Sequence, residues 1–117
     1  MNGTERRLAQ RFSRKIPLLV RMLKSALPGC RAESLNISTR GICFATNLPL
    51  REGTPVHVLF EMPEEVAHKP ASEWRCAGHV VHLQEGCFRE GEICVGVAFD
   101  CYEVLPVTQT SVSKHRA

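Results

Sequence analysis

Six short apolar stretches, each closed off by glycine, proline or a polar turn, follow one another at hairpin spacing along this 117-residue chain. They fall at about 18–24, 29–35, 41–47, 55–61, 74–84 and 93–99, and this spacing restricts the fold more than any other feature. The clearest is 55–61, where Val56, Val58 and Phe60 share one face and His57 and Glu61 the other, the two-residue period of a half-buried strand. The stretch at 93–99, ICVGVAF, is almost wholly apolar and reads as a buried strand. Between it and its predecessor lies EGCFREGE, with Gly86 and Gly91 to permit a hairpin turn. The first stretch, LLVRMLK, alternates poorly and leaves a helix open there, whereas 62–73, MPEEVAHKPASE, is polar and proline-bounded and reads as a surface loop. Only LAQRF near the start and CYEVL near the end look briefly helical. Six short strands in one small domain suit a closed antiparallel barrel, which removes the exposed edges an open sheet would have to guard. The expectation is an all-β fold, a six-stranded antiparallel β-barrel over 17–106 with at most a short C-terminal helical turn. A flexible arginine-rich arm over 1–16 precedes it and a polar tail over 107–117 follows.

Charge divides the chain unevenly. Residues 1–40 carry nine Lys/Arg against two acidic residues, a net +7, while 41–117 carry six against ten, a net −4. An anionic partner near the N-terminus is the natural inference. With 44% hydrophobic residues the chain is too apolar for disorder, yet no apolar run approaches the ~18–20 residues that span a membrane. The N-terminal stretch has no apolar signal core, so a cytoplasmic location with reduced thiols is expected. The six cysteines, at 30, 43, 76, 87, 94 and 101, contain no CxxC pair, which argues against zinc. Cys43, Cys76 and Cys94 lie in strand-like stretches and read as small hydrophobes. His79 and His82, three apart on a strand, point to opposite faces and do not share a metal. Trp74 reads as a barrel-end core residue whose N–H is satisfied locally. GxSxG, HExxH, GxxxxGK and GxGxxG are all absent, so no catalytic residue, metal or cofactor is expected and the chain does not read as an enzyme.

Two strings carry the functional signal. RRLAQR places Arg7 and Arg11 four apart with Arg6 beside them, and NISTRG places Asn36, Ser38 and Gly41 between the second and third strands. In this order, and followed by a strand-rich body, they resemble the PilZ domain, whose pattern is RxxxR and then (D/N)xSxxG. LREGTPVHVLFEMP, GHVVHL and VGVAF are similar to three later strands of that family, so the resemblance covers roughly residues 5–102.

The resemblance implies a receptor or adaptor for cyclic di-GMP, a bacterial second messenger, that orders its N-terminal arm on binding and signals to an effector protein. By resemblance, Arg7 and Arg11 hold guanine and phosphate, Asn36 and Ser38 hold the second base edge, and Gly41 shapes the floor. The chemistry fits on its own terms. A guanidinium fork matches the O6/N7 edge of guanine and also grips phosphate. Side-chain oxygens of Asn36 and Ser38 accept from guanine N–H groups, and Gly41 can take a positive φ that lets a ligand approach the backbone. Asn36 stands where aspartate is common in the family, keeping the acceptor and losing the charge. Arg6 is a further candidate contact. Arg40 either touches phosphate or, as favoured, points to solvent, and His82 either stacks on a base or is a solvated strand histidine. Two rivals are a degenerate PilZ module that binds only protein, and a small-barrel binder of single-stranded nucleic acid. The second is disfavoured by the scarcity of aromatics, only 6% of the chain.

Overall fold

The computed structural model describes residues 11–85 and 91–106. Six strands run in chain order: β1 (Pro17–Met22), β2 (Cys30–Ile37), β3 (Gly41–Thr46), β4 (Pro55–Met62), β5 (Ser72–Glu85) and β6 (Ile93–Pro106), with one helical turn, α1 (Glu64–Ala67), between β4 and β5. All neighbouring pairs are antiparallel, and the sheet closes as β1-β2-β3-β6-β5-β4.

Alternation explains which side chains fill the barrel. In β4, Val56, Val58, Phe60 and Met62 are buried between more exposed neighbours, and in β3 Ile42, Phe44 and Thr46 do the same. With Leu18, Val20, Ile37, Val80, Val95 and Val97 they form one core. Truncating a residue such as Phe44, which has no exposed surface, leaves a cavity and costs about 3–5 kcal/mol. Trp74 is buried at one barrel end and donates its indole N–H to Ser72 Oγ (3.2 Å). The poor alternation of the first stretch also has a cause. Leu18 and Val20 point inward, but Leu19 lies on the outer face at 41% exposure.

Three local expectations are corrected. CYEVL is strand, not helix: β6 continues to Pro106, pairing Tyr102 with Cys76 and Val104 with Trp74. Five residues cannot stabilise a helix alone, whereas the long β5 offers them a ready ladder. The segment 62–73 is not all loop, since it holds α1 and the start of β5. Finally, the arm does not hang free as far as residue 16. Phe12 and Ile37 exchange both backbone hydrogen bonds (2.8 and 2.9 Å), and the Ile16 carbonyl accepts from the Ser34 N–H (3.0 Å). The buried Ser34 hydroxyl accepts from the Ile16 N–H (2.9 Å) and donates to the Arg14 carbonyl. Arg14 adds an ion pair with Glu65 of α1.

Candidate functional site

The β2–β3 turn is built by the NISTRG string. The Ser38 hydroxyl accepts from the Arg40 N–H (3.0 Å) and the Gly41 N–H (3.2 Å), and the Ser38 N–H donates to the Gly41 carbonyl (3.0 Å). Ser38 is 7% exposed, so its oxygen is committed to the turn and is not a free acceptor for a ligand. Gly41 is required for a different reason from the one its sequence suggested. Its φ is not positive; a Cβ there would come within 2.5 Å of the Val97 carbonyl oxygen, so glycine lets β3 close against β6.

Beside this turn, register places the remaining candidates on one outer face. Asn36 of β2 pairs with Cys43 of β3, Cys43 with Gly96 of β6, and Gly96 with His82 of β5. These four residues form a continuous row across four strands, roughly 14 Å long at the usual strand spacing. A parallel row runs Gly41, Ala98, His79, and the bulge between Val80 and His82 brings both histidines to this face, not to the opposite faces that their spacing suggested. The outward positions of the two middle strands are Gly41, Cys43 and Ala45 of β3 and Cys94, Gly96 and Ala98 of β6. None is larger than cysteine, so the surface between Asn36 and His82 is a shallow tray with a flat floor.

The walls carry the polar chemistry. Asn36 is half-buried, and its side-chain amide has no hydrogen-bond partner among the described residues. His82 is exposed, and its Cβ lies 3.2 Å from where a Cβ on Gly96 would sit. His79 is fixed at the tray margin by Asp100, with Nδ1 2.9 Å from Oδ2. Asp100 is the extra residue of a β-bulge, between the pairs Ala77–Cys101 and Gly78–Phe99. Arg11 is exposed and makes no ion pair among the described residues. It precedes the Phe12–Ile37 bridge, and its charge reaches the floor, where it favours the Cys43 thiolate against larger opposing effects. Burial first, then the contact with Cys94 (Sγ to Sγ 3.5 Å), push the Cys43 thiol up to about 12. Cys43 therefore adds no charge to the floor at neutral pH, and Arg11 stands beside it as a cation. Arg40 is exposed at the turn; its carbonyl accepts from the Phe99 N–H (2.9 Å). Arg6 and Arg7 lie outside the described residues.

The structure thus gathers Arg11, Asn36, Gly41 and His82 at one tray and engages the Ser38 hydroxyl in the adjoining turn. Sequence reasoning missed the floor itself and the His79–Asp100 pair. The signal for the floor was present as small residues at alternate positions in GICFAT and ICVGVAF. Two concavities among the described residues lie elsewhere. One is beside Glu64, Glu65 and His68, and another of about 520 Å³ lies on the outer face of β1, β4 and β5. Neither gathers the candidate residues. The described residues hold no group of three or more metal-ligating side chains. No helix among them is long and apolar enough to cross a membrane.

Comparison with known proteins agrees with the fold. The family model described as PilZ domain matches residues 5–103. Among solved structures, the Bacillus subtilis inhibitor of motility, MotI/DgrA, is similar in fold. Its TM-score is 0.62 at 15% identity, over 92% of this chain and 47% of that one. This chain therefore spans about half the length of that structure. No curated protein matches.

Proposed function

The chain belongs to the PilZ domain family, and from that premise we propose that it is a cyclic di-GMP receptor that signals to an effector protein without catalysing a reaction. The observation that supports this best is the row Asn36, Cys43, Gly96, His82. It offers a small-residue floor on which a flat base can lie, an unpaired amide at one end and a histidine at the other. Arg11 stands at the rim, where its guanidinium can take the guanine O6/N7 edge or a phosphate oxygen. Arg7, with Arg6 as a further candidate, closes over the bound dinucleotide as the arm is drawn onto the tray. Asn36 accepts from guanine N–H groups, and His82 stacks on a base.

Ser38 and Gly41 keep the site in shape and do not touch the ligand. Ser38 holds the turn and Gly41 holds β3 against β6. Arg40 points to solvent. Because the anchor of the arm from Phe12 to Ile16 is already in place, binding has only the segment before it to order. That lowers the entropic cost of closing the clamp. Cyclic di-GMP is an intracellular messenger of bacteria, so a bacterial cytoplasmic location follows from the proposal.

Single-stranded nucleic acid is a poorer ligand for this surface. Trp74 stacks on Tyr102 (4.2 Å between centroids), and Phe60, Trp74 and Phe99 pack on one another at the barrel end. Among the described residues the tray has no aromatic platform beyond its histidines. Titration of the full chain with cyclic di-GMP, and competition by an oligonucleotide, tests the proposal. A response to the oligonucleotide alone contradicts it, and no response to either leaves a protein-only module.

A further inference from the structure

β6 outlasts its neighbour on one side. Its ladder with β3 ends at Ala98, and the Phe99 N–H closes onto the Arg40 carbonyl, whereas its ladder with β5 continues to Pro106. From Cys101 to Leu105 the edge turned away from β5 therefore has no strand beside it among the described residues. That is about 17 Å of strand edge, presenting unpaired backbone donors and acceptors. The side chains along it alternate. Tyr102 and Val104 continue the inward face of β6, yet they lie past the barrel end at 51% and 45% exposure. Cys101 and Glu103 are exposed on the opposite face.

We propose that this edge is a docking site for a strand of a partner protein, which adds to the sheet beside Cys101–Leu105. Main-chain hydrogen bonds supply affinity in such strand addition, and alternate side chains supply specificity. The occupant that fits carries apolar side chains at alternate positions, against Tyr102 and Val104, with a basic residue between them on the face of Glu103. A second copy paired edge to edge about the middle of this segment would set Glu103 against Glu103, and like charges directly opposed disfavour that. The site is independent of the tray, although one strand carries both: Gly96 and Ala98 in the floor and Tyr102 on the edge.

The test is selection of displayed random twelve-residue peptides against the full chain, followed by amide exchange with the enriched peptide. The expected consensus alternates apolar and basic residues, and the bound peptide slows exchange at alternate amides of 101–105 by at least tenfold. Tyr102→Lys abolishes enrichment, and the exposed substitution Glu103→Lys switches the consensus from basic to acidic residues while the fold persists. An enriched peptide that leaves the amides of 101–105 unchanged, or no enrichment over Tyr102→Lys, overturns the proposal. So does protection, in the peptide-free chain, of the alternate amides of 101–105 that face away from β5. Dependence of that protection on protein concentration would show that a second copy fills the edge, and its loss on deleting 1–10 that the chain's own arm does.

Discussion

Gly96 and His82 face each other directly across the β5–β6 ladder, so closely that a Cβ on the glycine would stand 3.2 Å from the histidine Cβ. The contact makes the centre of the tray a place where side-chain volume and ligand compete. Gly96→Leu should fill the tray and abolish cyclic di-GMP binding. Its side chain projects outward, so the thermal midpoint should fall only by what easing the 3.2 Å contact with the His82 Cβ costs, less than for Gly41→Ala. Gly41→Ala should behave in the opposite sense, because its Cβ would meet the Val97 carbonyl oxygen at 2.5 Å and force β3 from β6. Parallel calorimetry and thermal melts on the two variants check this contrast.

Ser38→Ala should act through the turn. Removing the hydroxyl strands the Arg40 and Gly41 N–H groups that it accepts. Each lost hydrogen bond costs about 0.5–1.5 kcal/mol of stability. Urea unfolding should show this loss, while affinity measured well below the melting range should fall less than for Asn36→Ala. A larger affinity loss for Ser38→Ala than for Asn36→Ala would show that the hydroxyl touches ligand after all.

Ser34→Ala should release the arm. Ser34 has no exposed surface, and its hydroxyl holds both the Ile16 N–H and the Arg14 carbonyl. Limited proteolysis should cut after Arg14 or Lys15 faster than in the wild type. Affinity should fall with Arg7 and Arg11 intact, because an untethered arm costs more entropy to close. Unchanged cleavage would mean that the Phe12–Ile37 bridge alone secures the segment.

Alkaline pH should weaken the barrel. The Cys43 and Cys76 thiols are both raised from 9.0 to about 12, by burial before any other cause. Between those values the unfolded chain has released the protons that the folded chain still holds, so stability falls as pH rises. Urea midpoints should decline above about pH 9, less steeply in a Cys43→Ala, Cys76→Ala double variant. Equal slopes for the two proteins would exclude these thiols as the cause.

The strand pattern was legible because barrel strands alternate, and PVHVLFE and ICVGVAF show where they must lie. CYEVL was not: nothing local distinguishes it from a helical turn, and its strand state comes from the ladder with 72–77, remote in sequence. At the candidate site, Arg11, Asn36 and Gly41, picked out by their spacing in the sequence, lie at one outer face. Which atoms are free on it depends on tertiary geometry. The turn-holding role of Ser38 was not legible, because a buried turn hydroxyl and a ligand-binding hydroxyl look alike in a sequence. His79 and Asp100, twenty-one residues apart, meet only because β5 and β6 pair around a bulge.

Calorimetry with cyclic di-GMP on wild type, Arg11→Ala and Asn36→Ala tests the central claim most directly. The account predicts saturable binding by wild type and a loss of about 1.5–3 kcal/mol for Arg11→Ala, one charge-assisted contact. Asn36→Ala should lose about 0.5–1.5 kcal/mol, one neutral contact. Wild type that releases no heat at high ligand concentration, or that binds equally well after Arg11→Ala, would contradict it.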